Sequence, residues 1–274
     1  MRALRYVIFA TLVLPVAVDA AYYTNATANL NNTVVNDTTN LNAPTLVAES
    51  IDASSGGHTA NAQIVVQAEP GFLTARSTTS SSAGPNATAP FNLFAEGSGS
   101  FTDSVMVNVS AGTLRLQVDV NAIQNTPLVN SHVANGAAWR DILSATEETI
   151  FARSQSRNQF GELTQTTGAT GPQFLDFSII GGEVELGFGV GTFSRCGLSV
   201  PNGCSADATV DLQILGGIVL DNSGDEVTNA LATSASGFDY LNGAPVPLPA
   251  GAWLMLTALT ALGVVRRKQF GRSS

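Results

Sequence analysis

The chain has 274 residues, of which 44% are hydrophobic and 12% are charged, and its formal net charge is −9. Setting aside the first 20 residues and the basic end from residue 266 onwards leaves six arginines, no lysine and 20 acidic residues, a net charge of −14. Such an acidic surface repels phosphate backbones, which argues against nucleic acid as a partner, and it favours solubility.

Residues 1–20 have the pattern of a secretory signal peptide. Arg2 and Arg5 precede the apolar run Tyr6–Val18, and small residues stand one and three positions before Ala21. The run is too short to span a membrane, and a buried N-terminal helix, the alternative, does not usually have such flanks. We therefore predict cleavage between Ala20 and Ala21 and export of the remaining chain.

Residues 21–45 are rich in Asn and Thr, and two interpretations stay open for them. A polar segment of low hydrophobicity is typical of a disordered arm. The same residues also suit an edge strand whose side chains face water on both sides.

Residues 46–233 are dominated by short stretches in which apolar and polar residues alternate. This period of two is typical of strands with one buried face. The alternation is clearest in TLRLQVDV (113–120), FLDFSII (174–180), GEVELGFGVG (182–191) and TVDLQILGGIVL (209–220). Gly, Pro and Asn turn residues separate these stretches. We therefore predict an all-β fold, an antiparallel β-sandwich, with a jelly-roll arrangement as one option.

Two segments of this region allow more specific predictions. The stretches SVMVNV (104–109) and TLRLQVDV are separated by Ala111-Gly112, which predicts a hairpin. Residues 137–158 fit either a helix with an apolar stripe or two strands with a turn near residues 146–148. In the strand interpretation Trp139, Asp141 and Leu143 share one face. We favour the strands, although short runs cannot be distinguished by their period alone.

The two cysteines, Cys196 and Cys204, are separated by seven residues that include Pro201 and Gly203. In an exported chain this spacing predicts a local disulfide that clamps a loop between two strands. A zinc site is the weaker alternative, because no histidine lies near the cysteines in the sequence.

The sequence contains no HExxH, GxSxG or phosphate-loop motif, and we predict that the protein is not an enzyme. His58 and His132 lie apart from any dense acidic cluster, although a Ser-His-Asp triad requires only that its members meet in space. Glu183 and Glu185 share one strand face, where a solvated surface is expected rather than a glycosidase pair. A secreted hydrolase is therefore the weakest of the functional hypotheses.

One segment offers hard oxygen ligands around a glycine turn, which is the chemistry that Ca²⁺ prefers. Its residues are Asp221, Asn222, Asp225 and Glu226. Their spacing does not match a helix-flanked calcium loop, so a plain turn is expected and calcium is the alternative. We predict no other metal and no cofactor.

A carbohydrate-binding β-sandwich is the main alternative function. Binding sites for small molecules usually present a few aromatic side chains beside polar groups. The candidates for such a platform are Tyr22, Tyr23, Trp139 and Phe160.

The end of the chain combines several features in a fixed order. Residues 234–245 are small, polar and proline-ended, which predicts a linker. An uncharged run over residues 250–265 precedes a basic cluster, which predicts a transmembrane helix with its basic end held in the cytoplasm. Between them stands a proline-containing motif, Val246, Pro247, Leu248, Pro249 and Ala250, and the basic cluster is Arg266, Arg267 and Lys268.

The tail over residues 246–270 resembles the VPLPA variant of the PEP-CTERM sorting signal of Gram-negative bacteria. The resemblance implies that exosortase, an integral-membrane enzyme similar to cysteine transpeptidases, recognises and processes this tail. It also implies transient anchoring in the inner membrane and then transfer to the cell surface or to a biofilm matrix, with extracellular polysaccharide as a candidate partner. The predicted function is that of an exported, non-catalytic surface or matrix protein.

Overall fold

The computed structural model describes residues 20–30, 33–41, 44–55, 58–83, 93–126, 131–158, 161–196 and 203–245. The sorting motif and the predicted transmembrane helix at residues 250–265 lie outside the described residues. Among the residues described, no helix has the length and apolar character needed to cross a membrane.

The regular structure of the described residues consists of strands, which confirms the predicted all-β fold. In chain order the strands are β1 (Ala21–Leu30), β2 (Thr33–Leu41), β3 (Thr45–Ser55), β4 (His58–Glu69), β5 (Phe72–Ala83), β6 (Leu93–Val107), β7 (Ala111–Asn125), β8 (Ser131–Asp141), β9 (Thr146–Asn158), β10 (Gly161–Gly168), β11 (Gly171–Ile180), β12 (Glu183–Cys196), β13 (Cys204–Leu220), β14 (Ala232–Ser234), β15 (Phe238–Asp239) and β16 (Ala244–Pro245).

Strands β1 to β14 form one antiparallel, nearly closed, barrel-like sheet, whose two halves we call the first and the second layer. The first layer has the order β2-β1-β6-β12-β8-β9-β10. The second layer has the order β3-β4-β5-β13-β7-β11. The pairing of Ile180 with Glu183, at the turn between β11 and β12, joins the layers, so the sheet is nearly closed. The jelly-roll arrangement stays a prediction.

The core positions expected from the alternating stretches are confirmed. Their side chains are buried where the layers meet, as the period-two pattern requires. They are Leu114, Leu116, Val118, Val120, Leu175, Phe177, Ile179, Val184, Leu186, Phe188 and Val190.

The interior differs in character between its parts. Aromatic rings fill one part: the ring of Phe177 lies 4.9 Å from that of Trp139 and 5.7 Å from that of Phe188. A second cluster consists mostly of alanines around the two cysteines. The layers also approach closely at β6, where a Cβ on Gly99 would lie 2.8 Å from Cγ1 of Val66 on β4. Small inward residues therefore allow close packing of the layers.

The predicted hairpin between residues 104–109 and 113–120 is wrong. Strand β6 pairs with β1, β12 and β14, whereas β7 pairs with β11 and β13. The bend at residues 108–110 carries the chain from the first layer to the second. Consecutive strands often pair, but apolar alternation does not identify the partner, so the pattern could not reveal this crossing.

Residues 137–158 form strands, as favoured, but the turn covers residues 142–145 and precedes its predicted position. Asp141 is buried beside Trp139, as the strand pattern required. Its carboxylate accepts hydrogen bonds from the backbone N–H groups of Ser144 and Ser178, at 3.1 and 2.8 Å. These donors compensate for the water that a buried carboxylate loses.

The Asn/Thr-rich segment forms two strands. Strand β1 lies between β2 and β6, and Tyr22, Thr24, Ala26 and Ala28 have buried side chains. Strand β2 pairs with β1 alone among the described strands, so the edge-strand interpretation fits β2. The structure thus favours strands over a disordered arm.

Candidate functional site

Two segments from opposite ends of the described chain meet on one edge of β6. Strand β1 pairs with this edge as far as Thr102, and β14 pairs with it from Val105 onwards, while β12 occupies the opposite edge. Asp103 and Ser104 fill the gap between the two. The first residue of β1 is Ala21, which predicted signal cleavage would leave at the N-terminus.

The carboxylate of Asp103 binds the residues that follow β14. Its side chain is 3% exposed. Oδ1 accepts a hydrogen bond from the backbone N–H of Ser236 at 3.1 Å, and Oδ2 accepts one from the Tyr240 hydroxyl at 2.8 Å. The hydroxyl of Ser236 also donates to Oδ2. We refer to residues 232–244 as the C-terminal segment, and Asp103 is its anchor on the domain.

Burial dominates the electrostatics of this anchor. It raises the pKa of Asp103 above its ordinary value, although the hydrogen bonds from Ser236 and Tyr240 act in the opposite direction. The pKa of Tyr240 is also raised, by burial and by the charge of Asp103. The same carboxylate, after burial itself, raises the pKa of Tyr22 on β1. Desolvation disfavours the ionised form of each of these three groups, so burial raises the pKa of the carboxyl and of both phenols.

The prediction of a linker over residues 234–245 is wrong for residues 234–244. Tyr240 is 0% exposed and Phe238 is 5% exposed, and their rings lie 5.0 Å apart in an edge-to-face arrangement. Ser234 closes a turn by accepting from the Phe238 N–H and donating to the Phe238 carbonyl, both at 2.8 Å. Two aromatic side chains thus make a segment of linker-like composition part of the core.

The chain was compared with protein-family models and with curated protein sequences, and neither comparison found a match.

Several predicted site residues lie outside the described residues. They are Val246, Pro247, Leu248, Pro249 and Ala250 of the motif, Arg266, Arg267 and Lys268 of the basic cluster, and Phe160. The side chain of His58 is also outside what the structure describes.

The predicted disulfide between Cys196 and Cys204 is confirmed. It connects the end of β12 in the first layer to the start of β13 in the second layer, with both residues buried. The hydroxyl of Thr79 on β5 donates to Sγ of Cys196 at 3.6 Å. The crosslink therefore joins the two layers as well as closing the loop between the strands.

The candidate calcium segment forms a tight turn. The Oδ1 atom of Asp221 accepts hydrogen bonds from the backbone N–H groups of Ser223 and Asp225, at 2.8 and 3.0 Å. Asn222, Asp225 and Glu226 are exposed. Within the described ranges no group of three or more His, Cys, Asp and Glu side chains is arranged to hold a metal ion. These bonds are the Asx-type contacts of an ordinary turn.

Of the residues weighed for catalysis, His132, Glu183 and Glu185 lie on strands of the first layer. His132 on β8 lies 2.9 Å from the hydroxyl of Ser154 on β9. Burial and, secondarily, the charge of Arg195 lower the pKa of His132. Among the described residues, no carboxylate forms a hydrogen bond with His132. Glu183 is half-buried and accepts a hydrogen bond from the Ser104 hydroxyl at 2.9 Å.

The predicted aromatic platform for sugars is wrong for two of its members. Trp139 and Tyr22 are both buried in the core, where a ligand cannot reach their ring faces. Tyr23 is half-buried, and its hydroxyl accepts a hydrogen bond from Nδ2 of Asn25 at 3.3 Å.

A different aromatic group lies on the outer surface of the first layer. The rings of Phe94 on β6 and Phe193 on β12 stack with centroids 6.1 Å apart, and the His132 ring lies 5.5 Å from Phe193. All three side chains are half-buried. They come from three strands that are distant in the sequence, and their approach depends on the strand order, which the sequence did not reveal.

Proposed function

We propose that the chain is an exported, non-catalytic protein of the cell surface or extracellular matrix, sorted and processed through its C-terminal tail by exosortase. The mature protein would be the strand domain, and the two ends of the precursor would be signals for export and sorting. Its native surroundings would be the outside of a Gram-negative cell and the polysaccharide of a biofilm.

One observation carries this proposal: the described strands fill the interval between the two predicted signals. Strand β1 begins at Ala21, the residue after the predicted signal cleavage. The last described strand, β16, ends at Pro245, just before the motif at residues 246–250. Removing either signal would therefore leave the strands of the domain whole.

One further feature supports export of a stable domain. The disulfide between buried cysteines suits an oxidising compartment outside the cytoplasm. The prediction of a non-enzyme rests on the motifs that the sequence lacks, and it is kept as part of the proposal.

The test is mass spectrometry of the protein secreted by its native host. We expect the mature chain to begin at Ala21 and to lack residues 266–274. Replacing both Pro247 and Pro249 with alanine should leave Ser274 in place and keep the protein in the membrane fraction. Replacing Pro245, a proline just outside the motif, is the matched control and should leave processing unchanged. A secreted wild-type chain that still ends at Ser274 would contradict the proposal.

The aromatic group on the first layer supports a second role, the binding of extracellular polysaccharide. Phe94, Phe193 and His132 offer ring surface, and the register places Glu96 opposite Phe193 and Arg195 opposite Phe94. Aromatic surface with a few polar groups beside it is the usual composition of a small-molecule binding site, and these polar groups could bind the hydroxyls of a sugar.

We expect Phe193→Ala to weaken binding of the host's matrix polysaccharide at least about tenfold, the loss that about 1.4 kcal/mol of ring contact would give. Affinity electrophoresis or a sedimentation assay with the purified polysaccharide measures this. Phe174→Ala is the matched control, because Phe174 is an exposed phenylalanine on the outer face of the second layer. Equal binding by wild type and Phe193→Ala would remove this role.

A further inference from the structure

We propose that the α-ammonium group released at Ala21 by signal cleavage forms an ion pair with Asp103, and that this pair secures the C-terminal segment in the mature domain. The proposal rests on the predicted cleavage between Ala20 and Ala21, and therefore on the proposed export. It assigns a role to processing beyond release from the membrane.

The register of β1 and β6 places the two groups side by side. Ala21 is opposite Thr102, so Ala20 and Asp103 take the next pair of opposite positions. Both are buried, as are their neighbours on the same face, Tyr22 and Phe101. Opposite residues of an antiparallel pair have Cα atoms about 4.5–5.5 Å apart. Cleavage at the bond after Ala20 therefore creates the new ammonium group within about 5 Å of the Asp103 backbone.

Asp103 has the environment of a carboxylate that needs a positive partner. Its donors, Ser236 and Tyr240, are neutral, and in the described part of the chain no arginine or histidine forms an ion pair with it. An unpaired buried charge is costly, because hydrogen bonds to neutral groups replace only part of its hydration. A free N-terminus at Ala21 supplies the missing charge, whereas the uncut peptide bond supplies none.

The titratable groups that face this position are one carboxylate and two neutral phenols. Asp103 faces it from β6, Tyr22 from β1 and Tyr240 from the C-terminal segment, and the charge of Glu69 at the end of β4 also reaches the Tyr22 hydroxyl. The carboxylate of Asp103 beside an ammonium group favours the protonated form, which raises the pKa of the amine. We therefore expect the N-terminal amine of the folded protein to stay protonated to a higher pH than it does in the unfolded chain.

The pair also links signal cleavage to the docking of the C-terminal segment. The carboxylate that would pair with the ammonium group is the one whose Oδ2 atom accepts a hydrogen bond from Tyr240. The ion pair lowers the energetic cost of the ionised carboxylate in the core, so the docked C-terminal segment becomes more stable after signal cleavage.

The composition of the chain allows a direct test. Lys268 is the single lysine and lies in the tail that processing is proposed to remove, so a secreted Lys268→Arg protein carries its N-terminal amine as its only primary amine whether or not the tail is cleaved. The experiment measures the rate at which an acylating reagent modifies this amine between pH 6 and 10, in the full secreted chain. We expect acylation at neutral pH to be about tenfold slower in the native protein than in urea, which corresponds to a pKa higher by about one.

Asp103→Asn supplies the specific comparison, because the amide can still exchange hydrogen bonds with Ser236 and Tyr240. We expect this variant to be acylated at the rate of an ordinary N-terminus. Glu96→Gln is the matched control on the same strand, since Glu96 is exposed, and it should behave as wild type. Should Asp103→Asn fail to fold, the comparison of native and urea-unfolded wild type still decides the matter.

N-terminal sequencing of the same sample separates the two ways of failing. A first residue other than Ala21 contradicts the predicted cleavage and with it that part of the proposed function. A first residue of Ala21 whose amine reacts equally fast in native and unfolded protein overturns the ion pair and leaves the proposed export intact. A first residue of Ala21 with a protected amine that Asp103→Asn exposes supports the pair.

Discussion

Replacing Tyr240 with alanine is expected to lower the free energy of unfolding by about 3–5 kcal/mol, the usual cost of truncating a large buried aromatic side chain. Tyr240 is 0% exposed, its ring packs edge-to-face on Phe238, and its hydroxyl donates to Asp103. The variant loses apolar contacts, leaves a cavity and removes a donor from a buried carboxylate. Chemical denaturation of the secreted domain, followed by tryptophan fluorescence, measures the change.

Two control variants separate these contributions. Tyr240→Phe keeps the ring and removes the hydroxyl, so it should lose about 1.5–3 kcal/mol, as for a hydrogen bond to a charged group. Asn242→Ala changes an exposed neighbour in the same segment and should stay within about 0.5 kcal/mol of wild type. Wild-type stability in Tyr240→Ala would mean that residues 234–244 form a linker after all.

The strands that could be predicted are those whose inward residues are large and apolar. In β7 the inward Leu114, Leu116, Val118 and Val120 contrast with polar neighbours, and the contrast reveals both the strand and its buried face. Strand β5 gave no such signal, because its inward residues include Ser77 and Thr79, both 0% exposed. Where the layers approach closely, small polar residues occupy the core and the period of two disappears from the sequence.

The partners of each strand could not be predicted, because alternation identifies a buried face and leaves the neighbour open. Residues 104–120 show this limit: two well-patterned strands joined by a short turn pair with different partners in different layers. The outer aromatic group was missed for the same reason. Phe94, His132 and Phe193 become neighbours through the order β6-β12-β8, which is set by contacts distant in the sequence.

The composition of residues 234–245 gave no indication that this segment binds to Asp103. Residues 234–245 are mostly small or polar and end in a proline, and that composition outweighed the one informative signal, two aromatic residues at alternate positions, Phe238 and Tyr240. Aromatic side chains bury a large area and are rarely left in a solvated linker. Their partner could not have been found from the sequence, since 137 positions separate Asp103 from Tyr240.

Removing the disulfide by replacing both Cys196 and Cys204 with alanine is the second large effect expected. In the chain-entropy account, a crosslink that closes a loop of about nine residues stabilises the folded state by about 2.5 kcal/mol. For a domain of this size such a loss lowers the melting temperature by about 5–10 °C. Alanine is the appropriate replacement, because the surrounding cluster is itself built mainly of alanines and a serine would add buried hydroxyls.

Because of the position of the disulfide, we expect its removal to destabilise more of the domain than the loop between the two cysteines. Cys196 and Cys204 lie in different layers, so the bond holds together a part of the interior that has few large apolar side chains. Thr79→Val, which removes the hydroxyl contact with Cys196 and keeps the bond, should cost less than the double variant. Calorimetry with and without reductant measures both effects. If the double variant had the same melting temperature as the wild type, alanine packing alone would hold the layers together at this position.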